Sequence, residues 1–302
     1  MWRPSSSVDA LRERAAMLRA VRGFFAERDV LEVQTPVIGR HGVTDPAIDS
    51  MHLTAGRYLQ TSPEYHMKRL LAAGAPSIYQ VGPVFRDGEQ GRWHNPEFTM
   101  VEWYRLGFDA PRLMIEVAEL VDVLIGSGSY DSIRHADLLE RRFGIDVSQS
   151  SDESLLELAR GLGSASDNVD DALDLIFADA VGALRDRRVF VTGFPGRLAT
   201  LARVNDDGLA ERFELVVDGV EIANGYHELC DADELERRLA SDATKRRERS
   251  RPAVAPDDRL IAAQRHGLPD CAGVALGFDR LLAMRLGVSS IAETMAFDWE
   301  RA

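Results

Sequence analysis

The stretch from Ile78 to Arg105 constrains the fold more than any other part of the chain. Two β-prone runs, IYQVGPVFR and EFTMVEWYR, flank the polar, glycine-bearing loop DGEQGRWHNP, which is the pattern of a β-hairpin. On the second arm, the strand period of two puts Phe98, Met100, Glu102 and Tyr104 on one face, and Thr99, Val101, Trp103 and Arg105 on the other. One face then carries an aromatic ring, a carboxylate and a phenol. If that face is buried, Glu102 between Met100 and Tyr104 is costly unless a cation pairs with it. Solvent, an internal arginine or a cationic ligand group each meets that need, and the hairpin alone leaves all three open.

The rest of the chain narrows the setting. At 302 residues, 45% hydrophobic and 28% charged, it can bury the core of one large or two medium domains. It has no apolar run of the roughly 18 residues that a membrane helix needs. Its first segment, MWRPSSSVDALRERAA, turns charged where a secretory signal requires apolar residues, so a cytoplasmic location with no membrane contact is expected. Cys230 and Cys271 have neither CxxC nor Cys/His spacing and read as reduced core residues. The net charge of -13 opposes non-specific attachment to nucleic acid, so any anionic substrate must be met by a few placed Arg or Lys residues.

Along the chain, residues 8 to 28 show the spacing of an amphipathic helix. The run Val30 to Ile38 is strand-like, with Pro36 placing it at a sheet edge, a bulge or an interface, a dimer edge among the possibilities. In the next helix Ser62 is the expected N-cap, Pro63 the first residue and Glu64 part of the first turn, roles that capping and the helix dipole alone explain. A helix from Asp109 to about Ile125 leads into GSGSYDS, read as a surface connection, and residues 130 to 188 read as a helical insertion.

Residues 212 to 226 form a second hairpin about the turn Asp218-Gly219. That turn makes Glu214 and Glu221 diagonal neighbours on one face, roughly 7–8 Å apart along the backbone. Two such acids suit Mg²⁺, or else they line a solvated face. Asn224 and Glu228 have the opposite parity to Glu221, so bringing them together needs a bend, for which Gly225 is the candidate. The basic run KRRERSR (245–251) reads as a solvated helix face. GVALGFDRLLAMRLG (273–287) is a small-residue strand entering a helix that opens with Asp279 and Arg280.

In this order the pieces resemble the catalytic core of class II aminoacyl-tRNA synthetases, specifically the lysyl branch. The likeness is carried by the first helix with Pro36, by Phe85-Arg86 through HNPEFTMVEWY, by EIANGYHEL (221–229) and by GFDR (277–280), and it covers nearly the whole chain. TSPEYHMKRLL and GRWHNPEFTMVEWYR further resemble the truncated lysyl-synthetase paralogues that modify elongation factor P. Only seven residues precede the first expected helix at Val8, so no anticodon-binding domain is expected there.

The resemblance implies an α+β fold, a mixed and mainly antiparallel sheet flanked by helices, as one catalytic domain over 1–302. It implies activation of (R)-β-lysine or lysine with ATP and Mg²⁺, transfer to a lysine ε-amine of elongation factor P, and a homodimer. A tRNA acceptor is disfavoured by the acidic charge and the absent anticodon reader. The same activation with another acceptor, or a regulator that binds an amino acid without turnover, are the alternatives.

By the same resemblance, Arg86 grips the α-phosphate, Phe98 and Arg280 sandwich the adenine, and Gly277 allows close approach of the nucleotide. Asp87, Glu89, Asn95 and Ile222 belong to the nucleotide site. Lysyl synthetases have Arg-x-Glu where this chain has Arg86-Asp87-Gly88 before Glu89, so adenine reading falls to Glu89 or to backbone. Glu64 and Glu102, with Ser62 and Pro63 beside them, receive the α- or β-ammonium, and Tyr104 with Glu228 the side-chain ammonium. Asn224 and Tyr226 complete the amino-acid site. Glu214 and Glu221 ligate Mg²⁺. Ala275 stands where lysyl synthetases usually have glycine, and its methyl reshapes the amino-acid pocket.

Overall fold

The computed structural model describes residues 2–54, 56–147 and 150–302. In chain order the main elements begin with α1 (Val8–Ala26), β1 (Leu31–Glu32), α2 (Glu64–Ala72), β2 (Ile78–Phe85), β3 (Glu97–Leu106) and α3 (Ala110–Ile125). There follow β4 (Tyr130–Arg134), α4 (His135–Phe143), α5 (Asp152–Gly161), α6 (Val169–Gly182), β5 (Arg188–Thr192), β6 (Arg212–Val217) and β7 (Val220–His227). The chain ends with α7 (Ala232–Glu248), α8 (Asp258–Gly267), β8 (Cys271–Gly277) and α9 (Phe278–Leu286). Parallel and antiparallel pairs both occur, so the fold is α+β with a mixed sheet, as expected.

Two compact units divide the chain: residues 1–127, 200–203 and 225–302 in the first, and 128–199 with 204–224 in the second. In the first unit the strand order is β1-β2-β3-β8. The hairpin β2/β3 is antiparallel from Ile78 opposite Tyr104 to Phe85 opposite Glu97. On its other side β3 pairs antiparallel with β8, which sets Gly273 opposite Tyr104, Ala275 opposite Glu102 and Gly277 opposite Met100.

One face of this sheet packs against α1 and α3. The Phe25 ring stacks on Tyr79 at 4.3 Å and meets Trp103 edge-on at 5.3 Å. Trp103 Nε1 donates to Glu116 Oε1 at 2.9 Å and Arg105 Nε lies 3.2 Å from Glu116 Oε2, so this buried acid of α3 is paired. The opposite parity of β3 is thereby left for the site.

Two strand expectations change. The run Val30–Ile38 shrinks to β1, which pairs in parallel with Ile78 and Tyr79, while Ile38–Gly39 turns to pair with Tyr58 and Leu59. Pro36 lies in the break, where it has no N–H to give a ladder. Tyr130–Arg134, within what reads as surface connection and helical insertion, is instead strand β4, paired in parallel with β5.

The second unit has the order β7-β6-β5-β4 and the three helices α4 to α6. Its tight turn is formed by Asp218 at φ 49° and Gly219 at φ 75°, the left-handed pair that an Asp-Gly hairpin turn requires. Strand β7 continues from this unit into the first, whose residues resume at Gly225. Among the described residues no helix is long and apolar enough to cross a membrane.

The basic run at the end of α7 is not simply a solvated face. Arg246 is buried, and its guanidinium donates to the carbonyls of Asp45 (2.7 Å), Ile48 (2.8 Å) and Pro252 (3.1 Å) and to Asp49 Oδ1 (2.6 Å). Burial raises the Asp49 pKa, but the Arg246 and Arg251 guanidiniums outweigh it and hold the carboxyl below its ordinary range. The Asp49 carbonyl in turn accepts from Asp87 N–H at 2.8 Å, so α7 is tied to the start of the hairpin loop. Arg246→Met, which leaves these acceptors and the Asp49 charge unpaired, is expected to cost about 3–5 kcal/mol in chemical denaturation. A change under about 0.5 kcal/mol, the size of an ordinary surface substitution, would refute that role.

Candidate active site

The remaining face of β3 meets the start of α2 in a buried polar cluster. The N-cap of α2 is Pro63, without a side-chain cap, rather than Ser62. The Ser62 hydroxyl does two other things: it accepts from Glu64 N–H at 3.0 Å and donates to Glu102 Oε2 at 2.7 Å. Tyr104 OH donates to Glu102 Oε1 at 2.8 Å. Glu102, 2% exposed, is therefore held by two neutral hydroxyls rather than by an internal arginine. Burial, then the charge of Glu64, pushes its pKa up to about 8, with the two hydroxyls acting against them.

One turn along α2, Lys68 closes the cluster. Its Nζ lies 2.6 Å from Glu64 Oε1 and 2.6 Å from Glu228 Oε2. Burial alone would discharge this lysine, but Glu228 and Glu64 more than compensate and hold it protonated. Burial is also the largest influence on Glu228, whose pKa is raised although Lys68 opposes it. Glu228 is positioned through its backbone, since its N–H donates to the Cys271 carbonyl at 3.0 Å and its carbonyl accepts from Arg203 Nε at 2.8 Å.

The strand β8 leaves room for this cluster. A Cβ at Gly273 would stand 2.3 Å from Tyr104 Cε1 and 2.5 Å from Glu228 Oε1, so only glycine lets those two side chains meet over the sheet. Ala275, opposite Glu102, projects its methyl on the same face. A cavity whose lining includes Ser62, Glu64, His66 and Arg69 opens beside the cluster.

The phosphate and adenine candidates gather at the mouth of the β2/β3 hairpin. Arg86 follows β2 directly. Its Nε is 3.5 Å from the Thr61 carbonyl, its Nη1 3.5 Å from Glu89 Oε1, and its guanidinium carbon 5.2 Å from the Phe98 ring centre. Arg280 Nε donates to the Trp93 carbonyl at 3.1 Å, and its Nη2 is 2.9 Å from His94 Nε2. Gly277 is the N-cap of α9. The neighbouring Asp279 anchors that helix to β3 by accepting from Thr99 N–H at 2.6 Å while pairing with Arg14.

Asp87 is exposed, with its N–H committed to Asp49. Asn95 is buried and spent on backbone: its Nδ2 donates to the Glu97 carbonyl at 2.6 Å and its Oδ1 accepts from Trp299 N–H at 3.0 Å. It therefore shapes the hairpin loop.

In the second unit Glu214 is 4% exposed and accepts from Arg212 Nη2 at 2.5 Å. Burial, then the charge of Glu221, raises its pKa, and Arg212 opposes both. A buried carboxylate repelled by a second one suits a hard divalent cation, so Glu214 and Glu221 fit Mg²⁺ as a donor set. Ile222 is buried, and Asn224 is half-buried with Oδ1 enclosed and unpartnered within the protein, an acceptor open to a ligand donor. Tyr226 is half-buried near the end of β7, in the first unit.

The structure brings Ser62, Glu64, Glu102, Tyr104 and Glu228 of the sequence reading together. It does not single out Lys68, Gly273 or Arg203. Lys68 lies four residues after Glu64, a spacing that signals helical ion pairs, but such pairs are usually solvated. Nothing local distinguishes Arg203, or Gly273 from Gly277, the other glycine of its strand.

A largely buried carboxylate cluster beside an arginine-bearing hairpin, on the antiparallel strands of a mixed sheet, is the layout of a class II synthetase core. The sequence model of the tRNA synthetases class II (D, K and N) matches residues 1–301, and the chain belongs to that family and is a ligase. Among curated relatives, the elongation factor P–(R)-β-lysine ligases of Pectobacterium carotovorum subsp. carotovorum and Yersinia enterocolitica are each 42% identical, covering all of this chain and 98% of the relative. That of Hamiltonella defensa is 41% identical with the same coverage.

Proposed function

We propose that this protein activates (R)-β-lysine, or lysine, with ATP and transfers it to a lysine ε-amine of elongation factor P. The observation that carries the reading is the cluster of half-buried Glu64 with buried Glu102 and Glu228, in which one internal cation, Lys68, pairs with Glu64 and Glu228 while Glu102 has only hydroxyl partners. A ligand with two ammonium groups supplies the missing positive charge. The full-length similarity to ligases of that name supports the acceptor and the isomer, and the match over residues 1–301 supports reading the chain as one catalytic domain.

In the first step an oxygen of the substrate carboxylate attacks the α-phosphorus of ATP. The bond to pyrophosphate breaks and pyrophosphate leaves with its electron pair. Arg86 holds the α-phosphate, Phe98 and Arg280 the adenine, and Gly277 lets the nucleotide approach the backbone. Glu214 and Glu221 of the second unit would hold Mg²⁺, a cation that would supply neutralising charge. Glu102 with Glu64 receives one ammonium of the substrate, and Glu228 with Tyr104 the other. In the second step a neutral amine of the acceptor attacks the activated carbonyl, its N–C bond forms as the C–O bond to AMP breaks, and the nitrogen loses a proton. No enzyme nucleophile takes part.

We further read the protein as a cytoplasmic homodimer, a reading supported by the exposed apolar Leu31, Val37 and Ile38 beside Pro36. Intact-mass measurement of elongation factor P incubated with enzyme, ATP and each lysine isomer in turn tests the function. The expected result is a gain of one lysyl residue, greatest with (R)-β-lysine. Pyrophosphate exchange without mass gain refutes the acceptor, and absence of exchange with every lysine isomer refutes the activation.

A further inference from the structure

We propose that Lys68 is a specificity-determining residue: its ammonium permanently neutralises one charge of a cluster of three carboxylates, two buried and one half-buried, and so matches the charge left in the pocket to a ligand with two ammonium groups. The proposal rests on the amino-acid site described above and deepens it.

The geometry is that of a bridge. Two like-charged acids from distant parts of the chain, Glu64 in the first turn of α2 and Glu228 beyond β7, are each 2.6 Å from the same Nζ. Glu102 is held by hydroxyls alone, so the cluster contains three acids and one directly paired cation. Two negative charges remain when all three acids are ionised. An amino acid with one ammonium leaves one buried carboxylate without a partner, which is the expensive arrangement. A diamine leaves none. The two ammonium subsites are also joined through Lys68, because one of its acids belongs to each.

The proton inventory follows from the same groups. Those facing the cluster are Glu64 and Lys68 on α2, Glu102 and Tyr104 on β3, Glu228 with the Arg203 that bonds its carbonyl, and Cys271 on β8. Tyr104 and the Cys271 thiol are pushed up by burial and stay neutral near pH 7. Glu102, with its pKa at about 8, holds a proton there in the empty pocket, and Glu228 is shifted in the same direction. Binding of a diamine ionises these acids, so protons leave the pocket and affinity rises as pH increases from 6 to 8.

The test compares two substitutions by amino-acid-dependent pyrophosphate exchange, with thermal melting as the folding control. Lys68→Met keeps the length and packing without the charge, and Lys68→Arg keeps the charge. For Lys68→Met the KM for the diamine should rise about 30-fold, roughly the loss of one buried charge partner, with the KM for ATP unchanged. The pH dependence of that KM should move upward, because acids deprived of the ammonium keep their protons longer. Lys68→Arg should recover part of the loss. Wild-type KM and pH profile in Lys68→Met overturn the proposal, as does activity in Lys68→Met with none in Lys68→Arg, which marks a packing role.

Should Lys68→Met fail to fold, the wild-type protein decides. Calorimetric titration with lysine near pH 7, in buffers of different ionisation enthalpy, should show at least about half a proton released per ligand bound. Binding with no release overturns the charge matching alone, whereas absence of binding by any lysine isomer overturns the amino-acid site itself.

Discussion

Glu102→Gln is expected to lower kcat/KM for the amino acid by at least about 100-fold while leaving the folded chain more stable than wild type at pH 8. Both effects follow from a carboxylate that is 2% exposed, bonded only to the hydroxyls of Ser62 and Tyr104, with its pKa displaced from 4.5 to about 8. For an acid with a raised folded-state pKa, the stabilisation is complete below the unfolded value and is lost as pH climbs to the folded value. Between about pH 4.5 and 8 the unfolded chain ionises Glu102 while the folded chain resists. Glutamine escapes this penalty, so its advantage in unfolding free energy should grow from pH 5 to pH 8, reaching on the order of 2–4 kcal/mol. The same substitution removes a charge proposed above to receive an ammonium. Exchange activity within threefold of wild type, or a variant less stable than wild type at pH 8, would contradict this assignment.

Arg86→Ala is expected to reduce amino-acid-dependent pyrophosphate exchange by about 10²–10³-fold, the usual consequence of losing one preorganised donor to a developing anion. The guanidinium has contacts that keep it in place without satisfying it. The Thr61 carbonyl and Glu89 are both at 3.5 Å and the Phe98 ring is beside it, so a phosphate can exchange for the loose Glu89 pair. Arg86→Lys should restore only part of the rate, since an ammonium is a point charge and lacks the planar fork that grips two phosphate oxygens. Calorimetric titration of the lysine-like ligand, read in the absence of nucleotide, should be unchanged in both variants. An exchange rate in Arg86→Ala within fivefold of wild type would remove Arg86 from the chemistry.

The parts of the fold and site that were legible from sequence are those whose periodicity is local. The alternation of β3 assigns Trp103 and Arg105 to the core side and Glu102 and Tyr104 to the opposite face, and Asp218-Gly219 marks the turn between β6 and β7 because few other pairs accept two left-handed residues. Tyr130–Arg134 was not legible as a strand. Its Asp131, Ser132 and Arg134 have little strand propensity, and only pairing with the distant β5 makes it one. Val30–Ile38 shows the reverse: its β-branched residues promise a long strand that Pro36 interrupts.

Lys68 looks from sequence like any lysine on an amphipathic helix. Its partner Glu228 lies 160 positions away, so the charge balance exists only in three dimensions. Arg246 reads from sequence as solvated for the same reason, since its acceptors at Asp45, Ile48 and Asp49 come from a loop 197 to 201 positions earlier.

Gly273 has a bearing on how a pocket of this design can diversify. Position 273 is closed to every larger residue, because Tyr104 and Glu228 already occupy the space above it. Position 275, two residues along and opposite Glu102, already carries a methyl. Of these two positions, only 275 has room for a side chain. Changes in the size or shape of the amine that the cluster is proposed to receive then fall to residue 275 or to the opposite wall, and the charge pattern beneath can stay constant while they are made.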